Sequence, residues 1–247
     1  MNRLLFTVLL LLGLLLMTVR AGAQIDNEKL FRVGAEVSLG PSLISYPTEG
    51  YESEQQYHFG LSFGFVSDFL ISDNVYITTG FDFKKLKLDY SMPHFQEFTD
   101  SVTTLKSSYT GTLTRSASIG YFEIPVSLKY FAFNKDKFHL SLQLGFELGF
   151  NYSAKANDSF EYIDENGKYC LVDSYDVKIQ NEVAGVKASV FAGVGFEYEI
   201  NKSLALFSSF LINVGTTNIL SGTNTAYPTY LNKAYPYSLE FLVGVLL

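Results

Sequence analysis

From Phe138 to Tyr152 the chain alternates without a break. Phe138, Leu140, Leu142, Leu144, Phe146, Leu148, Phe150 and Tyr152 are separated by His139, Ser141, Gln143, Gly145, Glu147, Gly149 and Asn151. A helix turning every 3.6 residues would scatter these apolar side chains around its axis, whereas a strand places all of them on one side. The stretch reads as a strand with one apolar and one polar face.

The same period recurs in Phe31–Leu39, Phe59–Phe65, Val75–Phe83, Phe122–Tyr130, Val186–Tyr198, Leu204–Val214 and Tyr237–Leu247. Together these make eight strands, an even number. Tight polar turns at Ser72-Asp73-Asn74, Asn134 to Lys137 and Asn201-Lys202-Ser203 alternate with long polar stretches at Ser45 to Tyr57, Ser91 to Ser118, Lys155 to Glu182 and Thr216 to Pro236. Strict alternation of short and long connections predicts an up-and-down meander with one trimmed and one elaborated end.

The composition of the two faces decides where the apolar one points. It carries no Asp, Glu, Lys or Arg; the other carries Arg32, Glu36, Asp82, Glu123, Lys129, Glu147, Lys187, Glu197 and Glu240 among many Gly and Ser. Opposite charges that can pair, mixed with small residues, suit the narrow interior of an eight-stranded barrel, and leave the apolar face for lipid. No segment after Gln24 is long and apolar enough to cross a bilayer as a helix, and a closed barrel is the other way to satisfy the backbone there. Tyr130 and Tyr198 beside short turns, with Tyr152 and Tyr237 at the long-connection ends, fall where aromatic girdles belong. The expected fold is all-β: an eight-stranded antiparallel up-and-down transmembrane β-barrel with short periplasmic turns and long extracellular loops. A soluble lipocalin-like ligand-binding barrel is the alternative. Two departures are expected: a bulge or break in pairing at Pro125, which cannot donate to the ladder, and an exit of the third strand from the hydrocarbon at Lys84-Lys85, beyond which Leu86, Leu88 and Tyr90 change face and the strand continues exposed.

The first residues read as an export signal: Arg3, the apolar run Leu4 to Val19, then Ala21-Gly22-Ala23 before Gln24. Residues 1–23 are thus a cleaved signal peptide and residues 24–247 the outer-membrane barrel domain. Cys170 is the one cysteine, so no internal disulfide is expected and no thiol lies at the cleavage site to take a lipid. A net charge of −7 does not suit nucleic acid.

The segment Tyr121-Phe122-Glu123-Ile124-Pro125-Val126-Ser127-Leu128-Lys129-Tyr130, followed by a polar turn and a strand containing Gly145 and Gly149, resembles the PorT-like family of small outer-membrane β-barrels. The family's recurring strand has the form aromatic, x, Glu, Ile, Pro, x, x, x, Lys, Tyr. The resemblance implies an integral outer-membrane protein with both termini in the periplasm. It implies architecture; a role in protein secretion, associated with the founding member, does not carry over.

Chemistry-bearing residues are few. His139 and Ser141 stand two apart, as in an envelope-lipid esterase, but both fall on the inward face beside a short turn, where lipid substrate has no access. His58, His94 and His139 are dispersed, and no Cys/His cluster has zinc spacing. Asp164-Glu165-Asn166-Gly167 lacks the alternating ligands of a calcium loop and reads as a hairpin turn, with loose cation binding by Asp158, Glu161, Asp164, Glu165, Asp173 and Asp176 left open. A small lumenal ligand site at Tyr76, Phe207 or Leu211 is a lesser candidate. No cofactor, metal or catalytic residue is expected. Arg32, Glu36, Glu123, Lys129, Glu147 and Glu240 are expected to form a structural ion network in the lumen rather than to line a pore. The function expected is non-enzymatic: a monomer contacting outer-membrane lipid, acting through the connections Ser91 to Ser118 and Lys155 to Glu182 or through other envelope or secreted proteins.

Overall fold

A computed structural model describes residues 30–46, 58–99, 106–201, 203–228 and 231–247; the expected signal peptide lies outside the described residues. The strands are Phe31–Ser45 (β1), His58–Ser72 (β2), Val75–Thr99 (β3), Lys106–Lys135 (β4), Phe138–Ile163 (β5), Tyr169–Lys178 (β6), Val186–Asn201 (β7), Leu204–Gly215 (β8) and Tyr235–Leu246 (β9). Neighbours pair antiparallel in chain order, β5 pairs with β7 below β6, and β9 closes on β1 from Gly34↔Leu246 to Ser45↔Tyr235. The result is the expected ring of eight, with β6 as an extra strand outside the ring paired only with the upper part of β5. Closure matters because an open edge in hydrocarbon would leave a row of main-chain donors and acceptors without partners.

The period-two pattern sorts the side chains as anticipated. Leu142 and Val190 are each 47% exposed on the perimeter, while Glu147 and Lys187 are 6% and 5% exposed inside. Tyr130, Tyr198, Tyr152 and Tyr237 all stand outward, the first two near the end that holds the short turns. At Pro125 the β3–β4 ladder lapses opposite Gly80-Phe81 and resumes in unchanged register, so the missing donor produces a gap in pairing and no bulge. Thr79 Oγ1 donates to the Pro125 carbonyl at 2.8 Å across that gap.

Two expectations about the long connections are corrected. Most of Ser91 to Ser118 and of Lys155 to Glu182 is strand: β3 and β4 stay paired out to Thr99↔Lys106, and β5 and β6 form a hairpin around Asp164–Lys168. Beyond Lys84 the apolar residues of β3 do fall on the face opposite to Val75–Phe83, as expected, but that face is the inward one and they are not exposed. Asp82, Lys84, Leu86, Leu88, Tyr90 and Met92 stay on one inward row, and it is the chemistry of the row that changes. Leu86, Leu88, Tyr90 and Met92 are buried rather than exposed, against Leu113, Ala117, Ile119, Ala154, Ala156, Phe160, Ile179, Val183, Ile219, Leu220 and Ala234. The outward row beside them is polar: Lys85, Lys87, Thr112, Thr114 and Ser116.

On β5 it is the row itself that changes face, and this has a structural cause. Tyr121 faces Asn151 while Gly120 faces Ser153, so Tyr152 is the extra residue of a bulge. Below it the odd-numbered residues point inward, above it the even-numbered Ala154, Ala156 and Phe160 do. A one-residue insertion shifts every later side chain to the opposite face. The Tyr152 ring lies against Gly120, where a Cβ would sit 2.5 Å from its Cζ, so any side chain at 120 would push the ring aside.

Candidate functional site

The interior is the site that the fold assembles, and it has two storeys. In the lower one, charged side chains from most of the ring converge. Arg32 of β1 donates to Asp68 of β2 at 2.6 Å and to Glu197 of β7, and Lys129 of β4 reaches the same Asp68 oxygen at 2.8 Å. Thr78 adds a 2.6 Å hydrogen bond to Asp68. The Arg32 guanidinium stacks 4.8 Å from the Tyr76 ring, which adds a cation–π contact.

A second cluster lies higher. Lys187 Nζ is 2.5 Å from Glu123 and 3.0 Å from Glu147, and Ser189 Oγ donates to Glu147 at 3.1 Å. Lys84 Nζ is 2.5 Å from Glu240 and 3.6 Å from Glu123, and Ser238 donates to Glu240 at 2.6 Å. Each cation therefore bridges two carboxylates. In a medium of low dielectric such groups are tolerable only when paired and hydrogen-bonded.

Of the six residues expected in the network, Arg32, Glu123, Lys129, Glu147 and Glu240 all enter these pairs. Glu36, though buried, forms no ion pair among the described residues, and lines a cavity of about 50 Å³ with Asp82, Lys129, Glu240 and Phe207. Sequence reasoning misses Asp68, which joins Arg32 and Lys129 in the lower cluster, and Lys84, which joins Glu123 and Glu240 in the higher one. Both leave a signal in the sequence: Asp68 continues the inward row Ser62, Gly64, Val66 beyond the point where the apolar alternation of strand two stops, and Lys84 continues Asp82. Phe207 and Leu211 fill interior space beside that cavity, and Tyr76 is occupied by Arg32.

The upper storey is an apolar plug with one buried charge. Arg115 holds Asp158 through two nitrogens, at 2.7 and 2.6 Å, and Glu182 at 2.5 Å. Burial works against the guanidinium charge, but these hydrogen bonds and carboxylates outweigh it, so its pKa lies above the ordinary value. His94 donates to or accepts from Thr225 at 2.8 Å and meets Phe160 edge-on; burial, and after it the charge of Arg115, pushes its pKa below the usual imidazole value.

His139 and Ser141 lie beside the β4–β5 turn. The His139 ring bonds Asn134 at 2.9 Å and lies 3.7 Å from Glu199, and no hydrogen bond joins it to Ser141, which is buried against Gly195. Asp164 caps its own turn, accepting from the main-chain N–H groups of Asn166 and Lys168 at 2.9 and 2.8 Å, with Gly167 at φ +76°. The other acids of the open cation hypothesis are dispersed: Asp158 is on Arg115, Asp173 on Ser159 and Asp176 on Lys155. Among the described residues no group of three or more His, Cys, Asp or Glu side chains is placed to hold a metal.

A closed ring with an apolar perimeter, aromatic girdles and charges turned inward defines an integral membrane β-barrel. The chain belongs to the outer membrane protein beta-barrel domain family, whose profile matches residues 22–221. Among solved structures it is similar to a major outer membrane protein of Thermus thermophilus, at 10% identity over 89% of this chain and 100% of that one, TM-score 0.43. It is also similar to the attachment invasion locus protein Ail of Yersinia pestis, at 10% identity over 89% and 100%, TM-score 0.40. Neisserial surface protein A shares 15% identity over 90% and 99%, TM-score 0.37. No curated protein matches the sequence.

Proposed function

We propose that this outer-membrane barrel is a non-enzymatic protein of the PorT-like type, with both termini and the short turns in the periplasm, and that it acts through the tall hairpins β3–β4 and β5–β6 at its other end. The observation that carries the reading is the filled interior: paired charges below and an apolar plug above offer a solute no path and a substrate no cleft. What the protein presents to a partner is then the outer wall and rim of those hairpins, where Tyr169, Leu171 and Tyr175 are exposed on β6. The PorT-like part of the reading draws support from the roles of its ten-residue segment. Glu123 takes Lys187 and Lys84, Lys129 takes Asp68, and Tyr130 stands in the outward girdle.

The native Cys170 tests the orientation, since it is the chain's one thiol and sits on the β5–β6 hairpin. A membrane-impermeant maleimide added to intact cells is expected to label it; labelling only after the outer membrane is opened would reverse the orientation. Replacing Glu161–Leu171 by a two-residue turn between the paired Phe160 and Val172 is expected to abolish capture of an envelope or secreted partner by in-cell crosslinking while the barrel stays folded. Unchanged capture would remove β5–β6 as the acting surface.

A further inference from the structure

Between β2 and β3 two neighbouring strands of the barrel wall run side by side for four residues without pairing. The β2–β3 ladder begins at Ser62↔Lys84 and runs down to Ser72↔Val75. Above it both strands continue, but His58–Leu61 pairs only with β1 and Lys85 onward only with β4. The strands meet again at a side-chain contact, His58 Nε2 to Asp89 at 3.1 Å. Between the last ladder pair and that contact lies a window about 13 Å tall, four residues of strand. Main-chain groups facing each other across it are not joined in the ladder.

The two jambs of this window differ in chemistry. On β2 the outward residues Phe59 and Leu61 are among the most exposed apolar side chains of the protein, at 73% and 62%. They continue a lipid-facing row that runs down through Phe63, whose ring stacks on Phe83 at 5.4 Å. On β3 the outward residues directly above Phe83 are Lys85 and Lys87, both exposed and without an ion pair among the described residues. An acyl-compatible surface thus lies beside two unneutralised cations, at the level where the outward face turns from apolar to polar. That level in a membrane is occupied by lipid headgroups.

We propose that the β2–β3 window is a binding site for a phosphorylated, anionic membrane lipid. Its phosphate is held by Lys85 and Lys87 with main-chain N–H groups of the window that lie outside the β2–β3 ladder, and its chains lie along Phe59, Leu61 and Phe63. Lysine ammonium groups and main-chain N–H donors are the groups that recognise phosphate oxygens. The headgroup stays on the wall: the cavity behind the window, lined by Ser62, Lys84 and Glu240, is about 20 Å³, room for roughly one water. The inference needs the membrane position of the barrel and not the direction in which its ends face.

Native mass spectrometry of the full-length protein in non-ionic detergent, titrated with phosphatidylglycerol or phosphatidylcholine, tests it. Wild type is expected to retain phosphatidylglycerol in preference to phosphatidylcholine, and Lys85→Gln with Lys87→Gln to lower that retention by about 30-fold, two lysines acting together. The pair Lys106→Gln with Lys168→Gln, remote from the window, is expected to leave it unchanged. Equal loss from both pairs, or from neither, would overturn the proposal. As a check on the unaltered window, a photo-reactive phenylalanine analogue at Phe59 in living cells is expected to yield an adduct of lipid mass. An adduct with a polypeptide, which would mean a strand added to the open edges, rules the lipid out.

Discussion

The lower and upper halves of this barrel are the same sheet turned inside out. Below the level of Lys84 the wall is apolar outside and charged inside, as Leu142 and Glu147 illustrate; above it Leu88 and Ile119 are fully buried inside while Ser116 and Lys87 face out. The strands cross this boundary without interruption on β3 and β4, and with a single bulge at Tyr152 on β5. A strand's pleat fixes only that neighbours face opposite ways. The solvent on each side decides which face is which: acyl chains outside the lower half, water outside the upper. The upper half is therefore held together by the hydrophobic effect like a small soluble barrel. The lower half, whose surroundings are as apolar as its own perimeter, relies on its closed ladder and its ion pairs.

Introducing the same residue, methionine, at an inward position of each half should separate these two sources of stability. Lys187→Met strands Glu123 and Glu147 without their shared cation and is expected to cost about 3 to 5 kcal/mol in unfolding from lipid or detergent. Leu88→Met, equally inward but in the apolar storey, should cost less than about 1.5 kcal/mol. Similar costs would mean that the two interiors are not distinct. On the outside the order reverses. Leu144→Arg, facing mid-membrane, is expected to cost roughly 2 to 4 kcal/mol, and Ser116→Arg, facing outward in the upper half, less than about 0.5 kcal/mol. A costly Ser116→Arg would place that level inside the hydrocarbon. The smallest effect concerns pH and should be confined to the upper half. Burial lowers the pKa of His94, so between that value and about 6.5 the unfolded chain binds more protons than the folded one. Stability of the upper hairpins should rise with pH across this window and level off above it. Amide exchange at pH 5 and pH 7.5 reads the slope, and His94→Gln should flatten it; a slope that survives belongs to another group.

Much of the lower half is legible in the sequence because lipid imposes a strict pattern. Wherever Phe, Leu and Val alternate with Gly, Ser and charges, strand, face and ring size follow. The upper half reads as loops because its alternation is shorter in apolar reach, rich in Ser and Thr, and inverted. In Leu113-Thr114-Arg115-Ser116-Ala117-Ser118-Ile119 the inward row itself contains an arginine and an alanine. The lumen network is half legible. Parity names most of the inward charges, but not Asp68 or Lys84, because the apolar alternation of strand two stops at Phe65 and the apolar residues of strand three cross to the inward row at the lysine pair.

The sequence by itself determined the strand period, the direction of the oily face, the eight-membered ring and the turn at Asn166-Gly167. These are local or repeated properties, written in side-chain order. Tertiary structure alone decided which carboxylate shares which cation, that Tyr152 is a bulge over Gly120, and that β2 and β3 part above Ser62. Pairing partners, an extra residue and a lapse in register depend on how one strand is placed against another, and no single strand's sequence contains that placement.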